Sequence, residues 1–486
     1  MFPTSYTAAP GLFGPDPQAP DRTMACRNAK ITNPLRYNGG QMKRSTLLFL
    51  ALCLSAPLWG EWSAGVAQVV ITPTESIWMA GYAARTKPSE GVQTDLYLKA
   101  LALDDGGGKP AVLVTSDLIG FRKEVADAIA ERCRQQYGLA RDRLALNSSH
   151  THSGPIIGEL DPKPGYEAQK EVVRRYNEDL IGKAVATVGA ALKSMRPARL
   201  EFAQGFAGIA VNRSRDHPGT RGLPAPVDHD VPVLAVRNPD GSLRAVVFGY
   251  ACHNTTLGAY QINADYAGYA QRALEKAYPG ATALFVLGCA GDANPLPRYQ
   301  GTDPALTHYS LELVTMYGRI LAASVDLVLH GKMRPIGGPL KTAFARVDLP
   351  FQTPPSREEL QAWAKDHDAN RRAQGERMLK AIQRYGKLPD HYPDPVEVWQ
   401  FGNDLKFIAL GGESVVDYSL RLKGQYGWEN TWVAAYSNDV FAYVPSARVL
   451  REGGYEAQGG AGGPFSAAAE ELIIEKVHDL VGQTAQ

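Results

Sequence analysis

Residues 110–152 read PAVLVTSDLIGFRKEVADAIAERCRQQYGLARDRLALNSSHTH, and this stretch decides the fold class. Pro110–Leu118 has the length and apolar content of a buried strand, and Lys123–Tyr137 reads as an amphipathic helix. Arg143–Ser148 reads as the next strand and runs straight into His150. This β-α-β order predicts a parallel pair with the His150-Thr151-His152 motif at its carboxyl end, the edge where ligands gather in open α/β sheets.

Working outward, Val231–Arg237 and Leu243–Tyr250 flank Asn238-Pro239-Asp240-Gly241-Ser242, a hairpin signal, and the second strand leads to His253. Ala264–Tyr278 predicts a helix. Thr282–Leu287 predicts a short strand ending at Gly288-Cys289-Ala290-Gly291-Asp292. A long helix is expected over about Thr307–His330, a single charged surface helix over Glu358–Tyr385, and a closing helix over Ala467–Val481. Leu405–Leu410 predicts a strand ending at Gly411-Gly412-Glu413, and Thr431–Tyr436 another leading to Tyr443. Several strands thus end in polar turns that carry potential ligands. The predicted fold is α/β, with mixed β-sheets flanked by helices and a metal site at the strand carboxyl ends. No internal repeat is visible, and no Pro/Ser-rich linker divides residues 67–486, so one catalytic domain is expected there.

Composition narrows the function. Hydrophobic residues make up 44% and charged residues 21% of the 486, which fits a globular protein. A net charge of +1 gives no global field for nucleic acid or anionic membranes. There is no P-loop, no dinucleotide-binding glycine fingerprint and no GxSxG elbow. Cys26, Cys53, Cys133, Cys252 and Cys289 include no CxxC pair, so buried free thiols are expected rather than a cysteine metal knuckle.

Met42-Lys43-Arg44 followed by the apolar run Thr46–Trp59 has the form of a secretory signal, too short to span a bilayer as a permanent helix. Residues 42–66 are assigned to that leader, with cleavage between Ala56 and Ala67 and a secreted or periplasmic destination. Residues 1–41 read as a disordered tail, or as a start placed too early with Met42 the true start.

The strongest chemical signal is Ser148-Ser149-His150-Thr151-His152-Ser153-Gly154-Pro155. An H-x-H pair at a strand end places both imidazoles on one side if strand alternation continues. Such a pair is either a metal site or two hydrogen-bonded loop histidines, and the second can act as acid or base. His253 leaves an apolar strand for a polar turn, where a structural histidine is equally at home. In Gly288-Cys289-Ala290-Gly291-Asp292 the small residues let backbone approach a ligand closely. Asp292 suits metal binding, orienting a histidine or capping a turn. Glu413 and the tyrosines between Tyr436 and Tyr455 have packing or loop roles when taken singly. The loop around Asp228 and Asp230 is either a second cation site or a solvated loop.

Taken together and in order, these motifs resemble the neutral (non-lysosomal) ceramidase family, exported zinc amidases that cleave the N-acyl bond of ceramide. The motifs are Ile71-Thr72-Pro73 with Met79-Ala80-Gly81-Tyr82, Ser149 to Pro155, Asn212-Arg213-Ser214, His253, and Cys289-Ala290-Gly291-Asp292. Gly412-Glu413 with Leu420-Arg421-Leu422, and Tyr443 with Tyr455, complete the set. The likeness spans about Ala67–Gly460, the family's catalytic N-terminal domain, and the family's C-terminal immunoglobulin-like domain is not expected in this chain. The resemblance implies Zn²⁺ held by His150, His253, Glu413 and Tyr443. It implies His152 as general acid/base, Tyr455 and Arg213 as groups that bind or polarise the substrate carbonyl, and Asp292 as part of the catalytic group. Asn294 stands where the family has a serine once considered catalytic, which favours a zinc-activated water as nucleophile. The implied substrate is a small-molecule or lipid N-acyl amide, with no nucleic acid and no stable membrane anchor, and peripheral membrane contact fits. The competing readings are a hydrolase of the same site type acting on a soluble amide or ester, and a non-catalytic binding protein of the same fold.

Overall fold

The computed structural model describes residues 62–158, 166–214, 225–298, 304–367, 369–459 and 463–485. The segment 42–59, the tail before it, Cys26 and Cys53 lie outside the described residues. The strand Ser63–Val70 begins inside the stretch 42–66 assigned to the leader. The fold therefore starts by Trp62, whose indole donates to Ile336 O at 3.0 Å.

The β-α-β unit of residues 110–152 is present. Ala111–Ser116 pairs parallel with Leu144–Ser148, and the helix between them spans Lys123–Tyr137. Every residue of both strands is buried, which is why they read as continuous apolar runs. The same unit recurs twice. Leu243–Tyr250 and Thr282–Leu287 are parallel strands with the helix Asp265–Ala277 between them. Leu405–Leu410 and Thr431–Ala434 are parallel strands with the helix Val416–Tyr426 between them. The expected hairpin joins Asp230–Arg237 to Leu243–Tyr250.

Each parallel pair lies at the edge of a larger sheet whose remaining contacts are antiparallel. The first sheet runs Leu144–Ser148, Ala111–Ser116, Tyr97–Asp104, Ser63–Val70, Arg196–Pro197. The second runs Thr282–Leu287, Leu243–Tyr250, Asp230–Arg237, Arg199–Phe206, Arg334–Ile336. The third runs Leu340–Pro350, His391–Phe401, Leu405–Leu410, Thr431–Ala434. Their shared core includes Leu101 and Leu113 from the first, Leu234 and Val247 from the second, and Phe407 and Trp432 from the third.

The three parallel edges converge on one buried side chain, Asn147. Its Nδ2 donates to Ala435 O at 2.7 Å and Ser437 Oγ at 3.1 Å, while its Oδ1 accepts from Leu287 N at 2.9 Å. An amide carries both donor and acceptor, so it acts here as a piece of backbone that joins strands of three sheets. All three strand ends, and the turns that follow them, are thereby brought to one place.

The expected single helix over Glu358–Tyr385 is instead two, Arg357–Trp363 and Ala369–Tyr385. Charge continues through both, so composition shows no stop. Apolar contact sets the break, because Leu360 packs against Met378, Ala381 and Leu388 and the segment folds back on itself. Cys133, Cys252 and Cys289 are buried free thiols, as expected.

Candidate metal centre

His150 lies just beyond the strand Leu144–Ser148 with φ of 60°, a left-handed conformation uncommon outside glycine. The chain has therefore left strand geometry, and alternation is not what places the H-x-H rings on one side. Local pairing does so: Ser149 N donates to Ser116 O at 2.8 Å and His152 N donates to Asn254 O at 3.2 Å. The two rings then meet, with Nε2 of His152 3.1 Å from Nε2 of His150. Gly81 lies directly behind, and a Cβ there would sit 2.4 Å from His152 Cγ. Only a residue without one leaves room for this imidazole.

His253 follows the strand Leu243–Tyr250. Its backbone N–H donates to Ala293 O at 2.9 Å. Glu413 is placed by a two-residue parallel ladder, Glu413–Ser414 against Tyr443–Val444, which sets Glu413 opposite Tyr443. The small residues of the Cys289-Ala290-Gly291-Asp292 tract do permit a close approach, but of backbone to backbone. A Cβ on Gly291 would lie 2.4 Å from Glu413 O.

The ring nitrogens identify the chemistry. His150 Nδ1 is 2.5 Å from Ile119 O, and His253 Nδ1 is 2.6 Å from Ala290 O. A carbonyl only accepts, so each Nδ1 carries the proton and each Nε2 presents a lone pair. Both Nε2 atoms face Glu413 Oε2 at 3.2 Å. Lone pairs thus point at one another over distances that repel unless a cation lies between them. Tetrahedral coordination with bonds of about 2.0–2.1 Å puts neighbouring ligand atoms about 3.3 Å apart. The ligand atoms of His150, His152 and His253 all lie within 4.8 Å of one another. The donor set therefore fits a metal ion, with imidazole nitrogens and one carboxylate of the kind zinc prefers.

Burial lowers the basicity of His253 to a pKa of about 3, with Arg213 next in effect. Burial, then His150, holds His152 well below the usual histidine range. Burial opposes ionisation of Glu413, and positive charge at the His150 and His253 positions, of the kind a bound cation would supply, holds its carboxyl well below the usual range. His152 Nδ1 is buried with no hydrogen-bond partner, and the Arg85 guanidinium donates to His152 O at 2.6 Å.

The other expected residues fall in two groups. Tyr443 stacks on His253 with ring centroids 6.3 Å apart, and its hydroxyl accepts from Arg213 Nη2 at 2.9 Å. Arg213 also donates to Glu456 at 2.7 Å and to Asn294 Oδ1 at 3.3 Å. Tyr455 is 55% exposed and its ring lies 5.3 Å from that of Tyr443, so it marks the solvent side. These residues join the cluster. Asp292 does not. Its carboxylate accepts from Asn212 Nδ2 at 2.7 Å, Val416 N at 2.9 Å and Arg448 Nη2 at 3.4 Å, and none of these partners is an imidazole. It is a buried anchor that ties the Asn212 strand to the start of the helix Val416–Tyr426, which corrects its placement in the catalytic group. The Asp228 and Asp230 loop is neither a cation site nor solvated, because Lys423 Nζ donates to them at 2.7 and 2.8 Å. Sequence reasoning missed Asn147 and Arg85, and gave Tyr436 only a packing or loop role within the tyrosine stretch. Asn147 left a trace, as a polar residue inside an apolar strand.

Fold and site together define an α/β protein with a buried imidazole–carboxylate cluster able to hold a metal ion. A profile of the family described as "Neutral/alkaline non-lysosomal ceramidase, N-terminal" matches residues 62–295, so the resemblance read from the motifs holds there. That span contains His150, His152, Arg213 and His253, while Glu413, Tyr443 and Tyr455 lie beyond it. Neutral ceramidase A of Dictyostelium discoideum is 27% identical over 218 residues, covering 42% of this chain and 30% of that protein. Neutral ceramidase of Drosophila pseudoobscura pseudoobscura is 30% identical over 123 residues, covering 24% of this chain and 17% of that one. The matches thus span under a third of either relative's length. Among solved structures, a ceramidase complexed with C2 has a TM-score of 0.68 at 17% identity, over 86% of this chain and 74% of that chain. Neutral ceramidase from Pseudomonas aeruginosa has a TM-score of 0.66 at 18% identity, with the same coverage. The shared fold reaches well beyond the span of the family profile.

Proposed function

We propose that this chain is a ceramidase-like, zinc-dependent hydrolase of N-acyl amide bonds. The observation that carries the reading is the convergence of the His150 and His253 Nε2 atoms on Glu413, with both Nδ1 atoms pinned by carbonyls and His152 Nε2 beside that of His150. Zn²⁺ bound there would lower the pKa of a water towards about 7 and polarise the amide carbonyl.

The side chains supply the rest. Burial keeps His152 neutral, so it can take a proton from the attacking water and return it to the departing amine. Arg213, fixed by Glu456 and Asn294, holds the Tyr443 hydroxyl in place against His253. Tyr455, at the exposed end of the tyrosine pair, is placed to donate to the substrate carbonyl oxygen. Val211, paired opposite Asn294, and Leu296, two residues beyond it, are exposed apolar residues suited to an acyl chain. The basic-then-apolar start at residues 42–59 supports export and action outside the cytoplasm.

A second reading, the same chemistry on a soluble amide or ester, is favoured by Asn294. Its Oδ1 accepts from Arg213 and Thr255 in the place where the family's serine would stand. A screen of zinc-loaded protein on ceramide and on short N-acyl amino acids decides between them. Faster turnover of ceramide supports the first reading, faster turnover of soluble amides the second, and zinc-independent or absent turnover of all of them sinks both.

A further inference from the structure

Tyr436 is wholly buried, yet its hydroxyl has no hydrogen-bond partner. Buried hydroxyls are nearly always satisfied, and a tyrosine that only filled space here would be served by phenylalanine. Its surroundings belong to the metal centre. The ring centroid lies 4.6 Å from that of His150 and 6.0 Å from that of His253. Apart from burial, the group that acts most on its hydroxyl is Glu413, followed by Tyr443 and Arg213.

The backbone holds it there at a conformational cost. Tyr436 has φ of 53°, one of four non-glycine residues with positive φ among those described, and His150 beside it is another. Strain of this kind clusters at functional sites when neighbours enforce it. The neighbours here are the two ligand turns. Tyr436 N donates to Gly412 O at 3.0 Å, and Tyr436 O accepts from Ser148 N at 3.3 Å. The residue is thus clamped between the strand that ends before His150 and the turn that presents Glu413.

We infer that Tyr436 is a further catalytic residue, whose hydroxyl donates a hydrogen bond to the oxygen atom that enters the space bounded by His150, His253 and Glu413. The bond involves no proton transfer, and it supplies a hydroxyl donor in a site where Asn294 offers none. The inference rests on the metal-centre reading above.

The test uses the zinc-loaded full chain and its Tyr436→Phe variant, titrated calorimetrically with acetohydroxamic acid as an oxygen-donor probe. The variant is expected to keep about one zinc per chain and to bind the probe about tenfold more weakly, the worth of one lost hydrogen bond to a charged group. On a hydrolysed amide, kcat should fall by about 10²-fold with KM little changed. Equal probe affinity in the two proteins overturns the inference, and so does loss of zinc from the variant, which would make Tyr436 a support of the site. If Tyr436→Phe does not fold, ring-fluorinated tyrosine at 436 keeps the shape and strengthens the donor. Tighter probe binding then supports the inference and unchanged binding overturns it. Should the wild type bind zinc and probe but hydrolyse no amide, the proposed function fails, while the affinity comparison still decides the role of Tyr436.

Discussion

Two of the buried carboxylate clusters among the described residues have partners of opposite kinds. At Asp228 and Asp230 the chain provides its own cation: Lys423 reaches in from the helix Val416–Tyr426, and Ser419 of the same helix donates to Asp228 at 2.6 Å. Around Glu413, the imidazoles of His150 and His253 each offer a lone pair, with the other nitrogen committed to a carbonyl. The first cluster is complete as a polypeptide. The second could hold a cation from outside. An acidic pair in a loop thus meets a lysine here, while the direction of the ring nitrogens marks a cluster that could hold a metal.

The contrast can be broken by mutation. His150→Ala and Glu413→Gln should abolish metal binding and cut amide hydrolysis by about 10³-fold, the upper range for a lost charge-stabilising group, in a protein that remains folded. Metal analysis and circular dichroism on the same samples check this. Lys423→Met should do the reverse. Leaving Asp228 buried without its partner should cost about 3–5 kcal/mol of stability in a denaturant melt, with metal content unchanged in the folded fraction. Loss of metal from Lys423→Met with little change in stability would erase the distinction.

Asn147→Ala sharpens the comparison, since it removes the clip that joins the three strand ends without touching a ligand. Leu287 N–H would be left unpaired while Ala435 C=O keeps only Ser437 Oγ, at a cost of about 1–3 kcal/mol, and metal affinity should weaken with the loosened edges. Unchanged stability and affinity would show that the edges meet without it.

A pH-dependent effect is expected at Glu397, which accepts from Trp399 Nε1 and Asn438 Nδ2, each at 2.7 Å. Asn438 in turn bonds Leu146 on the strand leading to His150. Burial, against the pull of Arg141, raises the Glu397 pKa from 4.5 to about 8. The folded state therefore holds a proton that the unfolded state releases. The stability this group contributes is complete below pH 4.5 and lost as pH rises through about 8. Glu397→Gln cannot titrate, so its melting temperature should fall less than that of the wild type between pH 5 and about 8. Parallel curves would contradict this.

Much of this architecture was legible from residues 110–152, because strands buried on both faces and an amphipathic helix leave strong patterns. The hairpin around Asn238–Ser242 and the strands before His253 and Glu413 were legible for the same reason. The antiparallel strands Ser63–Val70, Arg199–Phe206, Leu340–Pro350 and His391–Phe401 were not. Several are only half-buried, with polar and apolar residues mixed along them. The break between Trp363 and Ala369 depends on tertiary contact, which composition does not record. At the site, the motifs located His150, His152, His253, Glu413, Tyr443, Arg213 and Tyr455, and the fold brings them together. Asp292 was misplaced because its Gly-rich surroundings suggest a ligand turn, whereas Gly291 is needed where Glu413 backbone passes. Asn147 escaped notice, and Tyr436 was given only a packing or loop role, because each bonds to elements distant in sequence, Asn147 to Leu287 and Ala435 and Tyr436 to Ser148.

The central claim is that the His150–His253–Glu413 cluster is completed by a metal ion. The most direct measurement is metal content and melting temperature of the purified chain, before and after chelation and after zinc is restored. The account predicts about one zinc per chain, a melting temperature that falls on chelation and recovers with zinc, and neither response in His150→Ala. A folded, active wild-type chain that holds no metal and does not respond to added zinc would contradict it.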